Sequence, residues 1–301
     1  MNNWFKQLSF FIVPSAEMPS VEELENDLQK ASFSPVSGLS RFSEGFSPIN
    51  AQMVMNVGGQ SWRMSLRRED KILPASVVRD ALENKIAEIE SREQRQMSKK
   101  EKHQLKEQIT DDLLPRAFAK SSYTELLYLP ESSLLLVNQA SATRAENSVS
   151  LLRNALGGLR ASQPNTVNSP MGLMTDWLLS GDAAGNFTLD SDCELKSSGD
   201  EAATVRVARQ DLTAAEVVQH VKNGKVVTQL GLTWQDRVSF VLNHDLSLKR
   251  IRFLDSVQAA LQEDGEDPET LAMATQLIIS ESLAAILGEL IDLLGGLATS
   301  S

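Results

Sequence analysis

The sequence predicts an α+β fold of antiparallel sheets and hairpins packed with helices. Apolar residues alternate in several short segments bounded by Gly or Pro, as they do in the strands of hairpins. Capping signals led by Ser or Thr lie between these segments and indicate helix starts. The elements do not repeat in the strand–helix–strand order of a doubly wound parallel sheet, which favours α+β over α/β. The 301 residues, 42% hydrophobic and 23% charged, suffice for about two domains with a sizeable core.

The first half of the chain, residues 1–160, alternates strand pairs with helices. Ser20 and Ser98 are each followed by a glutamate three residues later, which is the spacing of a capping box. The predicted elements are, in order, a strand at 4–13, a helix from Ser20, a hairpin at 52–57 and 62–66 around Gly58-Gly59, helices from Ser76 and Ser98, a strand pair at 121–129 and 134–138, and a helix at 142–156.

The second half, residues 161–301, is a further α+β part, unless the two halves form one continuous unit. Residues 161–170, which are rich in Ser, Gln, Pro and Asn, predict the linker between them. The region 271–294 is apolar on more than one face, so it is either buried in its own core or paired with a second copy. The predicted elements are a helix around Trp177, strands near Phe187 and at 204–208, a helix from a third capping box at Thr213 and Glu216, strands at 226–234, 238–242 and 246–254, and terminal helices from Pro268.

The sequence contains no signature of the common enzyme classes. P-loop, dinucleotide-binding, catalytic-serine and zinc-protease motifs are all missing. Glu194-Leu-Lys196 matches the Asp/Glu-x-Lys triplet of some metal-dependent nucleases, and Asp190 and Asp192 would be its further carboxylates, although so short a pattern recurs by chance in a chain of this size. We therefore expect no catalytic residue, no metal and no cofactor, and we keep a metal-dependent nuclease as an alternative.

Cysteine usage and apolar runs indicate the compartment. The single cysteine, Cys193, excludes an internal disulfide and fits a reducing cytosol. Apolar runs such as 10–13 and 283–286 are far shorter than the ~20 residues that span a bilayer. We expect a cytoplasmic protein without a membrane partner.

Charge is distributed unevenly along the chain. The net charge is −11, yet residues 63–120 contain fourteen Lys or Arg against eleven Asp or Glu, so the rest of the chain carries −14. Residues 255–301 contain nine carboxylates and no Lys or Arg. A basic segment on an acidic protein permits contact with a nucleic acid along one surface while the remainder repels it. A merely solvated helix surface would show the same counts.

The basic helical segment at 76–120 supplies the main candidates for DNA contact. On one continuous helix, five cations would fall within a sector of about 80° and extend over about 22 Å. If the helix breaks at Ser98, only the last three still share a face. Lysine and arginine without an array of Asn or Gln suit contact with phosphates rather than with base edges. The five cations are Arg92, Arg95, Lys99, Lys102 and Lys106.

Further basic residues are weaker candidates, for which a plain surface role fits equally well. Strand alternation predicts that Lys249 points to the opposite side from Arg250 and Arg252. The additional candidates for DNA contact are Arg116, Arg209, Gln210, Lys249 and Arg250.

Several strings, in matching order and spacing across nearly the whole chain, resemble the RdgC family of recombination-associated proteins in proteobacteria. They are Trp4-Phe-Lys-Gln-Leu8, Lys71-Ile-Leu-Pro74, Leu113-Leu-Pro-Arg-Ala-Phe118, Arg209-Gln-Asp-Leu-Thr213, Gly224-Lys-Val-Val-Thr-Gln-Leu230 and Ser247-Leu-Lys-Arg-Ile251.

This resemblance implies a ring-shaped homodimer with a positively lined hole that encloses double-stranded DNA on the nucleoid. It also implies binding with little sequence preference and a role in limiting access of the RecA recombinase to DNA. Phe118 corresponds to an aromatic residue at one dimer contact, although the residues alone favour an ordinary core side chain. Arg209 and Gln210 correspond to a basic–Gln pair at the other contact. Besides the nuclease, an acidic module that docks a partner protein remains an alternative.

Overall fold

The computed structural model describes residues 5–197, 203–255, 257 and 267–298. It is an α+β fold with two antiparallel sheets and, within the described residues, seven α-helices, so the predicted fold class is confirmed. Trp4, where the first predicted strand begins, lies outside the described residues.

Six antiparallel strands form the first sheet. They are β1 (Ser9–Ile12), β2 (Phe42–Ser47), β3 (Val54–Val57), β4 (Ser61–Ile72), β5 (Phe118–Leu129) and β6 (Leu134–Val137). The spatial order is β1-β6-β5-β4-β2, and β3 pairs with β4 in the predicted hairpin around Gly58-Gly59. The sequence pattern missed β2 because its Ser- and Gly-containing sequence shows no apolar alternation. Gly45 in β2 is required there, since a Cβ would lie 2.6 Å from the backbone of Phe33.

Four helices belong to the first half of the chain. They are α1 (Val21–Lys30), α2 (Ala75–Glu93), α3 (Lys99–Leu113) and α4 (Ala142–Ala155). The capping boxes at Ser20 and Ser98 are confirmed, because each hydroxyl accepts the N–H of the glutamate three residues later. The predicted cap at Ser76 is wrong. The extended backbone of Pro74 starts α2 at Ala75 without a side-chain cap.

The second sheet has five antiparallel strands, and three helices accompany it. They are β7 (Phe187–Lys196), β8 (Thr204–Val207), β9 (Val226–Trp234), β10 (Val238–Asn243), β11 (Leu248–Phe253), α5 (Pro170–Ser180), α6 (Ala215–Lys222) and α7 (Pro268–Leu293). The strand order is β11-β10-β9-β7-β8. The third capping box is wrong, since Ala214 occupies the cap position of α6 and the Thr213 hydroxyl donates to Asp211 Oδ1 at 2.7 Å instead.

Two clusters of buried apolar side chains stabilise the fold. One lies between the first sheet and helices α1 and α4. The other contains residues of both halves, including Leu127 and Leu136 of the first sheet together with Leu230 of β9 and Leu283 of α7. Leu8 and Leu248 exchange both backbone hydrogen bonds, at 2.7 and 2.8 Å, and so join the two halves directly. The division at 161–170 stays a prediction.

Helix α7 is long and apolar enough, by length and composition, to cross a membrane. The estimate from short apolar runs missed this property because interspersed small and polar residues interrupt the runs. The side chains of Leu283, Ile286, Leu287 and Leu290 are buried in the cluster that both halves share. Of the two readings of this region, burial in its own core therefore accounts for these residues.

Candidate nucleic-acid interface

A long ribbon of β4 and β5 positions the basic segment. The two strands are paired from Trp62 opposite Tyr128 to Ile72 opposite Phe118, and helices α2 and α3 are inserted at the latter end. Across residues 75–113, all of which the structure describes, Val78 is the one fully buried side chain. The basic segment is therefore a hairpin of two exposed helices, which we call the helical hairpin (residues 75–113).

The turn of the helical hairpin interrupts the basic stripe. Gln94 has a φ of +52° and ends α2, and the capping box at Ser98 then starts α3. The arrangement of five cations on one continuous helix is therefore wrong, because Arg92 belongs to α2 and Arg95 to the turn. Three cations share one face of α3 at positions i, i+3 and i+7, as expected for a helix that breaks here. They are Lys99, Lys102 and Lys106.

Ion pairs hold the turn in place. Arg95 contacts Glu93 at 2.9 Å and Glu101 at 2.7 Å. The guanidinium of Arg95, together with the hydrogen bonds from Ser98, lowers the pKa of Glu101 to about 2. Lys102 contacts Glu90 at 3.2 Å, so this lysine ties the two helices together.

The remaining lysines of α3 are available for an external anion. Lys99, Lys100 and Lys106 are exposed and form no ion pair with any residue that the structure describes. Arg92 is exposed and lies 3.5 Å from Glu93, a distance at which the attraction in water is weak. Arg116 is also exposed, in the short 3₁₀ turn that precedes β5.

Phe118 lies at the base of the helical hairpin with 86% of its surface exposed, so the interpretation of this residue as ordinary core is wrong. Its partner in the ribbon, Ile72, is 48% exposed. The two paired side chains form an apolar surface that no described residue covers.

Arg209 and Gln210 lie in the loop between β8 and α6. The side chain of Arg209 is exposed, and its backbone has a φ of +56°, in the left-handed region. The N–H of Gln210 donates to the Ser191 carbonyl at 3.2 Å, and its side-chain amide donates to Glu216.

A bulge in β11 changes the direction of its basic residues. Lys249 pairs with Val241 and Arg252 with Ser239, so β11 uses three steps where β10 uses two. Arg250, with a φ of +54°, is the extra residue. Lys249 and Arg252 therefore share one face of the sheet, and the prediction that they point to opposite sides is wrong.

Five cations gather on this face, the one opposite the apolar cluster, which we call the open face of the second sheet. They are Lys196, Arg206, Lys249, Arg250 and Arg252. Residues 161–301 contain nine Lys or Arg and twenty Asp or Glu, so this one face carries five of the nine cations of an acidic half. Asp192 and Glu194 lie on the same face and pair with three of the five, Lys196, Arg206 and Arg250. The sequence pattern did not bring them together because bulges in two strands shift the alternation on which such a prediction rests.

Comparison of the whole sequence with known proteins identifies the family. Residues 3–297 match the family model described as "Putative exonuclease, RdgC". The chain belongs to the RdgC family. It is 50% identical over 295 residues to the recombination-associated protein RdgC of Neisseria meningitidis serogroup C / serotype 2a, covering 97% of this chain and 99% of that protein. The resemblance expected from the sequence strings is thereby confirmed.

Two further RdgC relatives cover the chain to the same extent. The recombination-associated protein RdgC of Laribacter hongkongensis is 46% identical over 297 residues, which are 97% of this chain and 98% of that protein. The protein of the same name from Pseudomonas aeruginosa is 37% identical over 298 residues, which are 97% of each chain. The matches therefore extend over both halves of this RdgC chain.

Two of the three carboxylates of the nuclease-like pattern are engaged in ion pairs, Asp192 with Arg250 and Glu194 with two cations. Glu194 contacts Arg206 at 2.8 Å and Lys196 at 3.4 Å. Burial alone would raise the pKa of Glu194, but hydrogen bonds from Arg206, Lys196 and Thr228 outweigh this and hold the pKa below its ordinary value. Among the described residues, no three His, Cys, Asp or Glu side chains are grouped as a metal site requires.

Proposed function

We propose that this protein binds double-stranded DNA largely independently of sequence, as a ring-shaped homodimer that encloses the duplex. In this proposal it acts by occupying DNA and limiting access of RecA, without cutting the strands. Its relatives are named recombination-associated proteins, which supports a function in DNA recombination.

The open face of the second sheet is the observation that carries the proposal. Lys249 and Arg252 take part in no ion pair with any described residue, and the side chain of Arg206 is 80% exposed although it contacts Glu194. An acidic protein repels DNA over most of its surface, so a concentration of cations on one face orients the contact. Phosphates attract such cations whatever the base sequence.

The helical hairpin supplies a second basic surface. Lys99 and Lys100 lie in the first turn of α3, where the positive end of the helix dipole already attracts anions. Lysines at this position cost helix stability in an isolated protein, and they strengthen binding when a phosphate is present. The absence of an Asn or Gln array on this face of α3 supports contact with phosphates rather than base reading.

Two exposed surfaces support the homodimer. The apolar pair of Ile72 and Phe118 is one of them, because a second copy would remove it from water. The loop with Arg209 and Gln210 is the other, and its exposed polar groups would close the ring. Two separate contacts per protomer are what a closed two-membered ring requires.

Binding to closed circular and to linear duplex DNA of the same length tests the proposal. An enclosing ring escapes from a linear molecule by sliding off its ends, so we expect dissociation from the circle to be slower by an order of magnitude or more. Linearising the circle with a restriction enzyme after binding should release the protein. Equal dissociation from both forms would remove the ring, and absence of any shift with duplex DNA would favour a module that docks a partner protein.

The same preparations test the nuclease alternative. Circular and linear DNA are incubated with the protein and Mg²⁺ or Mn²⁺, and the DNA is examined for nicks and shortened ends. We expect intact DNA, since Asp192 and Glu194 are already neutralised by arginine partners. Metal-dependent scission that Glu194→Gln abolishes would replace the proposed function with a catalytic one.

A further inference from the structure

Asp192 lies on a bulge in β7 that one glycine accommodates. Between the pairs Leu189–Leu232 and Cys193–Leu230, β7 uses three residues, Asp190–Asp192, opposite the single Gly231 of β9. A Cβ on Gly231 would lie 3.1 Å from the Asp192 carbonyl oxygen and 3.2 Å from the Asp190 Cβ. The missing side chain of Gly231 therefore allows the bulge to lie over β9 on the open face.

The carboxylate of Asp192 binds two separate segments of the chain. Oδ1 accepts the backbone N–H of Arg209 at 3.1 Å, and Oδ2 forms an ion pair with Nη1 of Arg250 at 2.9 Å. Arg209 and Arg250 have φ values of +56° and +54°, a region that residues other than glycine rarely adopt. Such conformations persist only where surrounding contacts impose them. One carboxylate thus holds the strained backbone of Arg209 and pairs with the side chain of Arg250.

We propose that Asp192 is a positioning residue for the dimer contact of Arg209 and Gln210. This inference rests on the proposed function, which places that contact in the loop between β8 and α6. Asp192 holds the Arg209 backbone in its left-handed conformation before a second copy arrives. The side chain of Arg209 is then exposed in a fixed direction, and less conformational freedom is lost on association.

A conservative substitution separates positioning from general stabilisation. Asp192→Ala removes both bonds, and we expect the dimer dissociation constant in analytical ultracentrifugation to rise about tenfold, the cost of a hydrogen bond to a charged acceptor. Asp192→Asn retains an oxygen acceptor for the Arg209 N–H, so it should restore most of the affinity. Equal dissociation constants for Asp192→Ala and the unaltered protein would overturn the inference, and so would an Asn variant as weak as the Ala variant.

A double-mutant cycle tests the backbone directly. Glycine adopts a φ of +56° without strain, so Arg209→Gly removes the need for an external support of this conformation. Because Arg209→Gly also deletes the contact side chain, Arg209→Ala is the matched background, and Asp192→Ala should weaken the remaining dimer much less in Arg209→Gly than in Arg209→Ala. Equal effects of Asp192→Ala in the two backgrounds would contradict the inference. Thermal unfolding of every variant verifies that the protein is folded at the temperature of the measurement.

Gly231→Ala tests the same bulge by a substitution in the facing strand, β9. The added methyl group would push Asp190 and Asp192 away without changing any charge, and we expect a weaker dimer once more. Arg209→Ala and Gln210→Ala, measured in parallel, distinguish failure of the proposed dimer contact from failure of the role of Asp192. If these variants leave the dimer unchanged, the proposed contact itself fails, and the inference with it. If they weaken the dimer while Asp192→Ala and Gly231→Ala do not, only the role of Asp192 fails.

Discussion

Ile72 and Phe118 face each other across β4 and β5 at the last paired position of the ribbon, and both side chains are exposed. Cross-strand apolar pairs ordinarily stabilise a sheet by covering one another and the layer beneath. At this position 86% of Phe118 remains in contact with water, so the pair contributes little to the stability of a single chain. Its chemistry suits an anchor for a second copy.

Replacing Phe118 by aspartate should weaken the dimer and leave the fold intact. Loss of an aromatic anchor costs about 2 kcal/mol or more at an interface, which corresponds to at least tenfold in the dissociation constant. The free energy of unfolding of the monomer should change by less than about 0.5 kcal/mol because the side chain is exposed. Sedimentation equilibrium measures the first quantity and urea unfolding the second. Val167→Asp, at another exposed apolar residue (62%), is the matched control and should leave the dimer unchanged.

Charge reversal at Lys99 and Lys106 should weaken DNA binding equally for all duplex sequences. Both side chains lie on one face of α3 without an ion pair to any described residue. Lys102 is left in place because its contact with Glu90 holds the helical hairpin together. Fluorescence anisotropy with several unrelated duplexes provides the measurement, and Lys30→Glu with Lys222→Glu gives the same charge change elsewhere. Loss confined to particular sequences would indicate base reading instead.

Neutralising Lys249 and Arg252 to glutamine should reduce the dependence of DNA affinity on salt. Five phosphate contacts per protomer correspond to a log–log slope of about −4 to −5, and each contact removed makes the slope less negative by about 0.9. We therefore expect a change of about 2 per protomer between 50 and 200 mM salt. Lys222→Gln with Lys225→Gln is the control, because it removes two positive charges that are not among the five cations of the open face. An unchanged slope would remove the open face of the second sheet from the interface.

The first turn of α3 should lose protection in acid. Glu101 has its pKa lowered to about 2 from an ordinary value of 4.5, first by Arg95 and then by Ser98. A carboxylate with a depressed pKa in the folded state contributes stability that is fully present above pH 4.5 and is lost as the pH falls towards 2. Amide exchange of residues 99–102, corrected for intrinsic rates, should show this loss. Glu101→Gln should have low, nearly constant protection over the same range, and identical curves for both proteins would contradict the assignment.

Local signals in the sequence predicted local structure well. The capping boxes at Ser20 and Ser98 could be predicted because every bond in them lies within four residues. The hairpin turn at Gly58-Gly59 and the end of α4 shortly before Gly157 use glycines with a positive φ. Such glycines can be recognised from the local sequence alone. The third box failed at Thr213, where Asp211 competes for the hydroxyl.

The candidate site was harder to predict because it depends on where regular periodicity stops. A left-handed residue at Gln94 separates Arg92 from Lys99, and an extra residue at Arg250 turns Lys249 towards Arg252. Neither Gln94 nor Arg250 is a glycine, so the residue type does not indicate either interruption. The exposure of Phe118 also could not be derived from its type, since aromatic residues in strands are usually buried.

The shared core of the two halves has a consequence for synthesis on the ribosome. Leu127 and Leu136 of the first sheet belong to the same buried cluster as Leu283 and Leu287, which are translated some 150 residues later. At about 5–20 residues per second, this interval lasts roughly 8 to 30 seconds. During that time the N-terminal half can form its cluster with α1 and α4, but the second cluster stays incomplete until α7 has been translated.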